Sequence, residues 1–380
     1  MIIAKLDNVT HVVASDGSLN RSSPMYCPSC GQRVYLKKGK LKIAHFAHFS
    51  KQECESFSEG ETAEHLKGKW KLFHSLKKQG YEVALEAYLP ELKQRPDILL
   101  KTDTESIAIE YQCSMLPIDK MVERTENYLR NGYYPYWILG EKFVMNQNIT
   151  TLKKTFIQHT TRLGFYFVHF NSGTNELKIF YDFYKVSDSK WRYTNCRIPL
   201  EALDLMLNKN FKELISKKTI KKPKESLYRS YLELQNKIRA SNNRLRPFIF
   251  TLYRHSETIV TMPIELFLSL KNEWLIEQPP YEWKYHFLRW IESQNKRKII
   301  TKRNIISYIK NAINSQELQI ARLPLVKDEV IVSLFVDYLS LLINTGIVIK
   351  ISDEKWLFQS KAARYSNESD KVKRLKNLFF

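Results

Sequence analysis

The stretch "RPDILLKTDTESIAIEYQCS" (95–114) constrains the fold more than any other. Two short apolar runs, rich in Ile, Leu and Ala, flank the turn-forming "KTDTES", which reads as an antiparallel hairpin. The second run, "SIAIEYQC", is apolar on both sides of the strand, as expected for a buried strand. Each run carries a carboxylate. Asp97 follows a Pro and opens the first, and Glu110 interrupts the second. A carboxylate in an apolar strand needs a partner or a purpose, because burying it alone is costly.

Side-chain alternation puts Glu110 and Gln112 on one face, with Tyr111 on the other. Two carboxylates on adjacent strands suit Mg²⁺ or Mn²⁺, hard cations that take oxygen ligands and keep several waters. Such an ion would neutralise a phosphodiester, orient water and stabilise the leaving oxygen. The pattern is that of a PD-(D/E)XK nuclease-like site in which Gln112 stands where a Lys is usual. The missing charge must then come from elsewhere. The preceding segment "GETAEHLKGKW" offers it, with Glu61, His65 and Lys69 at four-residue steps and Glu64 beside His65. Lys69 is the expected cation and His65 the proton-handling group. The competing reading of this segment is a solvated helix face with paired charges.

Around that core the expected order is α-β-β-β-α-β. It comprises a helix over 61–79, strands at 81–88, 97–101 and 106–113, a helix over 118–131 and a strand at 134–140. Upstream, residues 1–57 read as a small β-rich module with little core of its own. "CPSC", "HFAH" and Cys54 offer zinc a tetrahedral set. The expected ligands are Cys27, Cys30, His48 and Cys54, with His45 as the substitute. The alternative is free thiols and a strand-capping His45. Five cysteines, an odd number, argue against a disulfide framework.

Charge divides the chain. Residues 1–140 carry 19 Lys+Arg against 17 Asp+Glu, whereas 141–380 carry 41 against 23. The later part is therefore the expected polyanion grip, through Lys217, Lys218, Lys221 and Lys222 in "KKTIKKPKES" and Lys296, Arg297 and Lys298. It reads as two aromatic strands within 164–184, then helices near 199–216, 224–241, 263–276 and 282–294. Helices near 304–314 and 326–344 lead into a hairpin at 346–358, a succession that resembles a winged helix. The expected fold class is thus α+β/α-β, with a zinc-finger-like module (1–57), a nuclease-like domain (58–160) and a basic, mainly helical C-terminal domain (161–380). No apolar run reaches the length of a membrane span, and the N-terminus lacks the zones of a secretory signal, so no membrane partner and a cytoplasmic location are expected.

The ordered combination "CPSC…HFAHFSKQEC", "GETAEHLKGK", "RPDILL", "IEYQCS" and "RTENYLRNGYYPYWILG" resembles the competence protein CoiA family. The resemblance implies a zinc-finger-like N-terminal module, a PD-(D/E)XK-type core and a helical C-terminal domain. It implies a role in natural transformation, when incoming single strands are recombined into the chromosome. It makes Gln112 part of the family's own motif and gathers Glu64, His65, Asp97, Glu110 and Gln112 into one site with Lys69 close by. It adds Arg124 and Thr125 as site or phosphate contacts. The expected activity is metal-dependent cleavage of single-stranded or branched DNA, with a RecA-type recombinase as partner. The rival is a non-catalytic DNA-binding mediator that assists the recombinase. A third reading, a sequence-specific regulator, has only the last fifth of the chain behind it.

Overall fold

The computed structural model describes the chain except residues 8–9, 18, 20–22, 40–41, 50–53, 55–61, 147, 187–189, 209–226, 241–242 and 378–380. Two compact units emerge: Met1–Ile220 with Arg322–Val326, and Lys221–Ala321 with Lys327–Phe380.

The first unit opens with five short antiparallel strands, β1 (Ile3–Lys5), β2 (His11–Val13), β3 (Met25–Tyr26), β4 (Arg33–Lys37) and β5 (His45–His48), in the order β2-β1-β3-β4-β5. Met1, Ala4, Val12, Met25, Val34 and Phe46 are buried together with Cys27 and Cys54. The module therefore has a small apolar core of its own, which the sequence reading did not find. Its members are single residues contributed by short strands, so no run of sequence advertises them.

Next come α1 (Ala63–Lys78), β6 (Glu82–Leu85), β7 (Ile98–Lys101), β8 (Ser106–Gln112), α2 (Ile118–Arg130) and β9 (Tyr133–Leu139). Thr62 caps α1 by accepting a hydrogen bond from the His65 amide. Gly80 follows the helix with φ +86, a left-handed conformation that glycine adopts without strain. One stripe of α1, Leu66, Leu72 and Leu76, packs on Ile98, Ile107 and Ile109. Gly68 is needed on that face, since a Cβ there would lie 2.1 Å from the Tyr111 ring. Strand β8 is buried along nearly its whole length, as its two-sided apolar pattern requires. It pairs antiparallel with β7 and parallel with β9.

The sheet does not stop at residue 160, where the sequence reading ended this domain. After α3 (Thr151–Thr155) and β10 (Gln158–Thr160) come β11 (Gly164–Asn171), β12 (Glu176–Lys185) and β13 (Trp191–Pro199). They extend the same sheet in the order β13-β12-β11-β9-β8-β7-β6, with β10 on β11. β11 runs parallel to β9. The third of these strands, "WRYTNCRIP", went unread because its residues are mostly polar and it faces solvent along much of one side. A short helix, α4 (Leu203–Leu207), follows, and the rest of the helix expected to 216 lies outside the described residues.

The second unit contains α5 (Leu227–Arg239), α6 (Arg246–Arg254), α7 (Pro280–Glu292), β14 (Ile299–Thr301), α8 (Lys302–Asn314), α9 (Glu329–Asn344), β15 (Val348–Ser352), β16 (Lys355–Phe358) and α10 (Glu368–Asn377). Its small sheet has the order β14-β16-β15. The helix expected over 263–276 is instead two 3-10 turns, Ile264–Phe267 and Glu273–Leu275. Met262 to Leu268 are almost all buried, and side chains from elsewhere take over carbonyls that a helix would have used. Lys284 donates to the Leu268 carbonyl and to Glu273. Tyr338 donates to the Glu265 carbonyl at 3.2 Å, and Lys371 to that of Met262 at 2.8 Å. No helix among the described residues is long and apolar enough to cross a membrane.

Candidate functional site

The N-terminal module gathers Cys27, Cys30, His48 and Cys54, whose ligand atoms all lie within 4.8 Å of one another. Cys27 Sγ and Cys54 Sγ are 4.0 Å apart, and Cys30 Sγ lies 3.3 Å from His48 Nε2. With metal–sulfur bonds of about 2.3 Å and metal–nitrogen bonds of about 2.0 Å, a tetrahedron has edges of about 3.5–3.8 Å. Donor type and spacing therefore suit zinc. Partial burial, and then nearby positive charge, lower the proton affinity of His48, which leaves its ring neutral and fit to ligate. Burial, and then Cys27 beside it, raise that of Cys30, so a metal must displace a proton there. His45 is not in the set. It lies opposite Lys37 three residues before His48, hence on the other face of β5, and its Nδ1 bonds the Ile43 carbonyl at 2.9 Å.

The acidic site forms where α1 crosses β7 and β8. The pairing of Ile98 with Ile109, carried one residue further, sets Asp97 opposite Glu110. His65 Nε2 donates to Asp97 Oδ2 at 2.9 Å, and the Tyr111 amide donates to the same oxygen at 2.9 Å. Lys69 Nζ lies 3.3 Å from Asp97 Oδ1 and 2.5 Å from Glu86 Oε1. Burial by itself would raise the Asp97 pKa. The His65 and Lys69 charges, with the two hydrogen bonds, overcome it and hold the carboxyl well below the usual range.

Glu110 has the opposite fate. Its Oε1 accepts from Arg124 and, at 2.7 Å, from the Tyr128 hydroxyl. Burial dominates, opposed by Arg124 and reinforced by the nearby Asp97 charge, and pushes Glu110 up to about 7. Two neighbouring carboxylates thus have proton affinities driven apart, an arrangement found at acid–base and metal sites.

Four expected residues land elsewhere in their detail. Gln112 sits on the Glu110 face but donates to the Ser114 carbonyl at 2.8 Å. Glu64 turns away from Asp97, and its Oε1 accepts from the Tyr111 hydroxyl at 3.2 Å and the Glu141 amide at 2.6 Å. Gly140 lets it approach, since a Cβ there would lie 2.4 Å from that oxygen. Arg124 is committed to Glu110 and stacks 5.8 Å from the Trp137 ring centroid, so it is a partner inside the site and not a surface grip. Thr125 is fully buried and accepts from Trp137 Nε1 at 3.1 Å, which makes it a support for α2 against β9.

Residues 61–214 match the family model of the nuclease-like domain of competence protein CoiA, 11–57 its N-terminal domain and 227–372 its C-terminal domain. The chain belongs to the competence protein CoiA family. A stretch of 115 residues is 38% identical to competence protein CoiA of Bacillus subtilis (strain 168), covering 30% of this chain and 31% of that protein. The match thus spans about a third of that relative's length. No solved structure matches the chain.

Within this CoiA nuclease-like domain, sequence reasoning missed two groups. Glu86 is buried and is the closest acidic partner of Lys69, and its other oxygen accepts from the Ile2 and Ile3 amides at 2.9 and 3.1 Å. The signal was available, since a Glu in the apolar "EVALEAY" invites a search for a buried cation. Tyr128 could not have been found so. Its hydroxyl meets Glu110 only because α2 packs against the sheet. Of the expected DNA contacts, Lys296, Arg297 and Lys298 lie exposed on the turn entering β14. Lys217, Lys218, Lys221 and Lys222, like Glu61, lie outside the described residues.

Proposed function

We propose that this CoiA-family chain is a metal-dependent DNA endonuclease-like protein that processes single-stranded or branched DNA in recombination during natural transformation. The observation that carries this reading is the facing pair Asp97 and Glu110, with Lys69 delivered to Asp97 from α1. Their hard oxygens suit Mg²⁺ or Mn²⁺ as a donor set. Asp97 and Glu110 would hold that ion, which when bound supplies charge neutralisation of the phosphate and an acidified water.

The chain's own residues do the rest. Lys69 keeps Asp97 ionised and provides the positive charge that Gln112 cannot. His65 holds a proton at Nε2 and orients Asp97. Arg124 balances the Glu110 charge. Glu64 braces the turn after β9 through the Glu141 amide, which fixes the wall of the site. The exposed Lys296, Arg297 and Lys298 hold DNA backbone, and we read β14–β16 with α8 and α9 as a winged-helix-like element that presents them. A RecA-type recombinase is the proposed partner.

A second reading is favoured by one specific feature. Both carboxylates already have cationic partners supplied by the protein, which is what a site retired to a scaffold would keep. In that case the protein is a DNA-binding mediator. Incubation of the purified protein with branched and single-stranded DNA, with Mg²⁺, Mn²⁺ or EDTA, separates the two. The nuclease reading expects metal-dependent nicking that falls by a factor of roughly a hundred or more in Glu110→Ala, with DNA binding retained. If only Gln112→Lys cuts and the native protein does not, the site is silent and the mediator reading stands.

A further inference from the structure

A second feature of the first unit lies away from the acidic pair. A groove of about 860 Å³ opens between the N-terminal module and the nuclease-like domain. Its two sides are open sheet edges, β2 on one and β6 on the other. Across it lies the second stripe of α1: Trp70, Phe73, His74 and Lys77, spaced as one helix face. The first stripe, His65, Lys69, Leu72 and Leu76, serves the acidic site and the core; in the second, Trp70 and Phe73 are partly buried against that same core, and His74 and Lys77 are exposed at the groove.

The lining chemistry is specific. Trp70 meets the His74 ring edge-on at 4.2 Å between centroids, and Tyr88 lies on the β6 side. Partial burial, and then Lys77, lower the proton affinity of His74, which leaves it a neutral ring available for stacking. Lys5 and Lys77 supply positive charge. Of the two carboxylates among the described lining residues, Glu86 is neutralised by Lys69, which leaves Asp16. Aromatic faces beside cations in an open groove are what sequence-tolerant binding of an unpaired strand uses, because every base has a stacking face and every link a phosphate. A duplex hides its base faces and could use only the lysines.

We propose that this groove seats a segment of single-stranded DNA, whose bases stack on Trp70 and its aromatic neighbours and whose phosphates meet Lys5 and Lys77. The inference rests on the DNA-processing reading above. It also connects to it physically, since Glu86 forms part of the groove wall and holds Lys69 at Asp97. A strand seated here lies one ion pair away from the acidic site.

The test is fluorescence anisotropy of a labelled oligo-dT with the full chain, over a range of salt. Lys5→Glu/Lys77→Glu and Trp70→Ala are compared with the native protein, after unfolding midpoints and zinc content show each variant folded. The charge pair should weaken binding tenfold or more at low salt and make the log–log salt slope shallower by about 1.4, the share of two phosphate contacts on a single strand. Trp70→Ala should weaken it by roughly tenfold. If Trp70→Ala fails to fold, the charge pair alone decides. Native binding with an unchanged affinity and slope in the charge pair overturns the groove and leaves the DNA reading intact. Absence of native binding to any single strand sinks both. Equal competition by a poly-glutamate peptide would show that the groove selects an acidic peptide instead, and would also overturn the proposal.

Discussion

Lys69 reaches Asp97 across 3.3 Å from helix α1, and not from the strand that carries Glu110 and Gln112. In the proposed nuclease reading, the cation that a PD-(D/E)XK-type strand would supply two residues after its Glu comes instead from this neighbouring element. It is held there by Glu86, which in turn clasps the first amides of the N-terminal module. Helix α1, the site and the module are coupled through one buried carboxylate.

That coupling predicts a large penalty for breaking the pair. Lys69→Met leaves Glu86 charged and buried without its closest cation, and should destabilise the protein by about 3–5 kcal/mol. Lys69→Met combined with Glu86→Gln should recover much of that loss. Urea denaturation of the native protein and the two variants reads this directly. Equal midpoints for Lys69→Met and the native protein would show that the pair contributes nothing.

Glu110 predicts a pH dependence of stability. Its folded pKa, about 7, lies above the usual carboxylate value of 4.5, so between these limits the folded state binds more protons than the unfolded one. Its contribution is fully present below pH 4.5 and is lost as pH rises toward 7. Asp97 acts oppositely: its contribution is present above the ordinary carboxylate range and is lost only in strong acid. Glu110→Gln should therefore gain on the native protein between pH 5 and 8, by about 3 kcal/mol at the upper end. Denaturation midpoints at the two pH values check it, in the absence of divalent metal.

Much of this was legible in the sequence, for identifiable reasons. The order of α1, three strands, α2 and β9 follows from apolar periodicity and glycine stops, and the His65–Lys69 stripe follows from helical spacing. Asp97 and Glu110 stood out as carboxylates in apolar runs. What stayed hidden depends on packing between distant elements. Tyr128 meets Glu110 from α2, Glu64 bends to the Glu141 amide, and Arg124 turns inward. The segment 263–276 kept its helical spacing on paper, yet Lys284 and Tyr338 claim two of its carbonyls and Lys371 that of Met262 just before it. Local spacing cannot encode those contacts.

The cysteine cluster predicts one zinc per chain. Cys30→Ser and His48→Ala should lower the zinc content severalfold or more and destabilise the module, while His45→Ala should leave the metal in place. Because Glu86 holds the Ile2 and Ile3 amides, zinc loss should also lower the unfolding midpoint of the whole first unit. Elemental analysis and thermal scans with and without chelator measure both.

Gly68 predicts a steric test of how α1 sits on β8. Gly68→Ala places a methyl into the Tyr111 ring and should destabilise by about 1–3 kcal/mol despite alanine's better helix propensity. Gly68→Ala with Tyr111→Leu should relieve the clash. A stabilised single variant would mean that helix and strand are farther apart than described.

The central claim is that Asp97 and Glu110 share a divalent ion, and Mn²⁺ binding followed by electron paramagnetic resonance tests it most directly. With zinc first supplied to fill the cysteine site, the native protein should bind one Mn²⁺ per chain, and both Asp97→Asn and Glu110→Gln should abolish that binding without changing the zinc content. A folded native protein that binds no Mn²⁺ at millimolar concentration, or binds it equally well in both variants, would contradict the account.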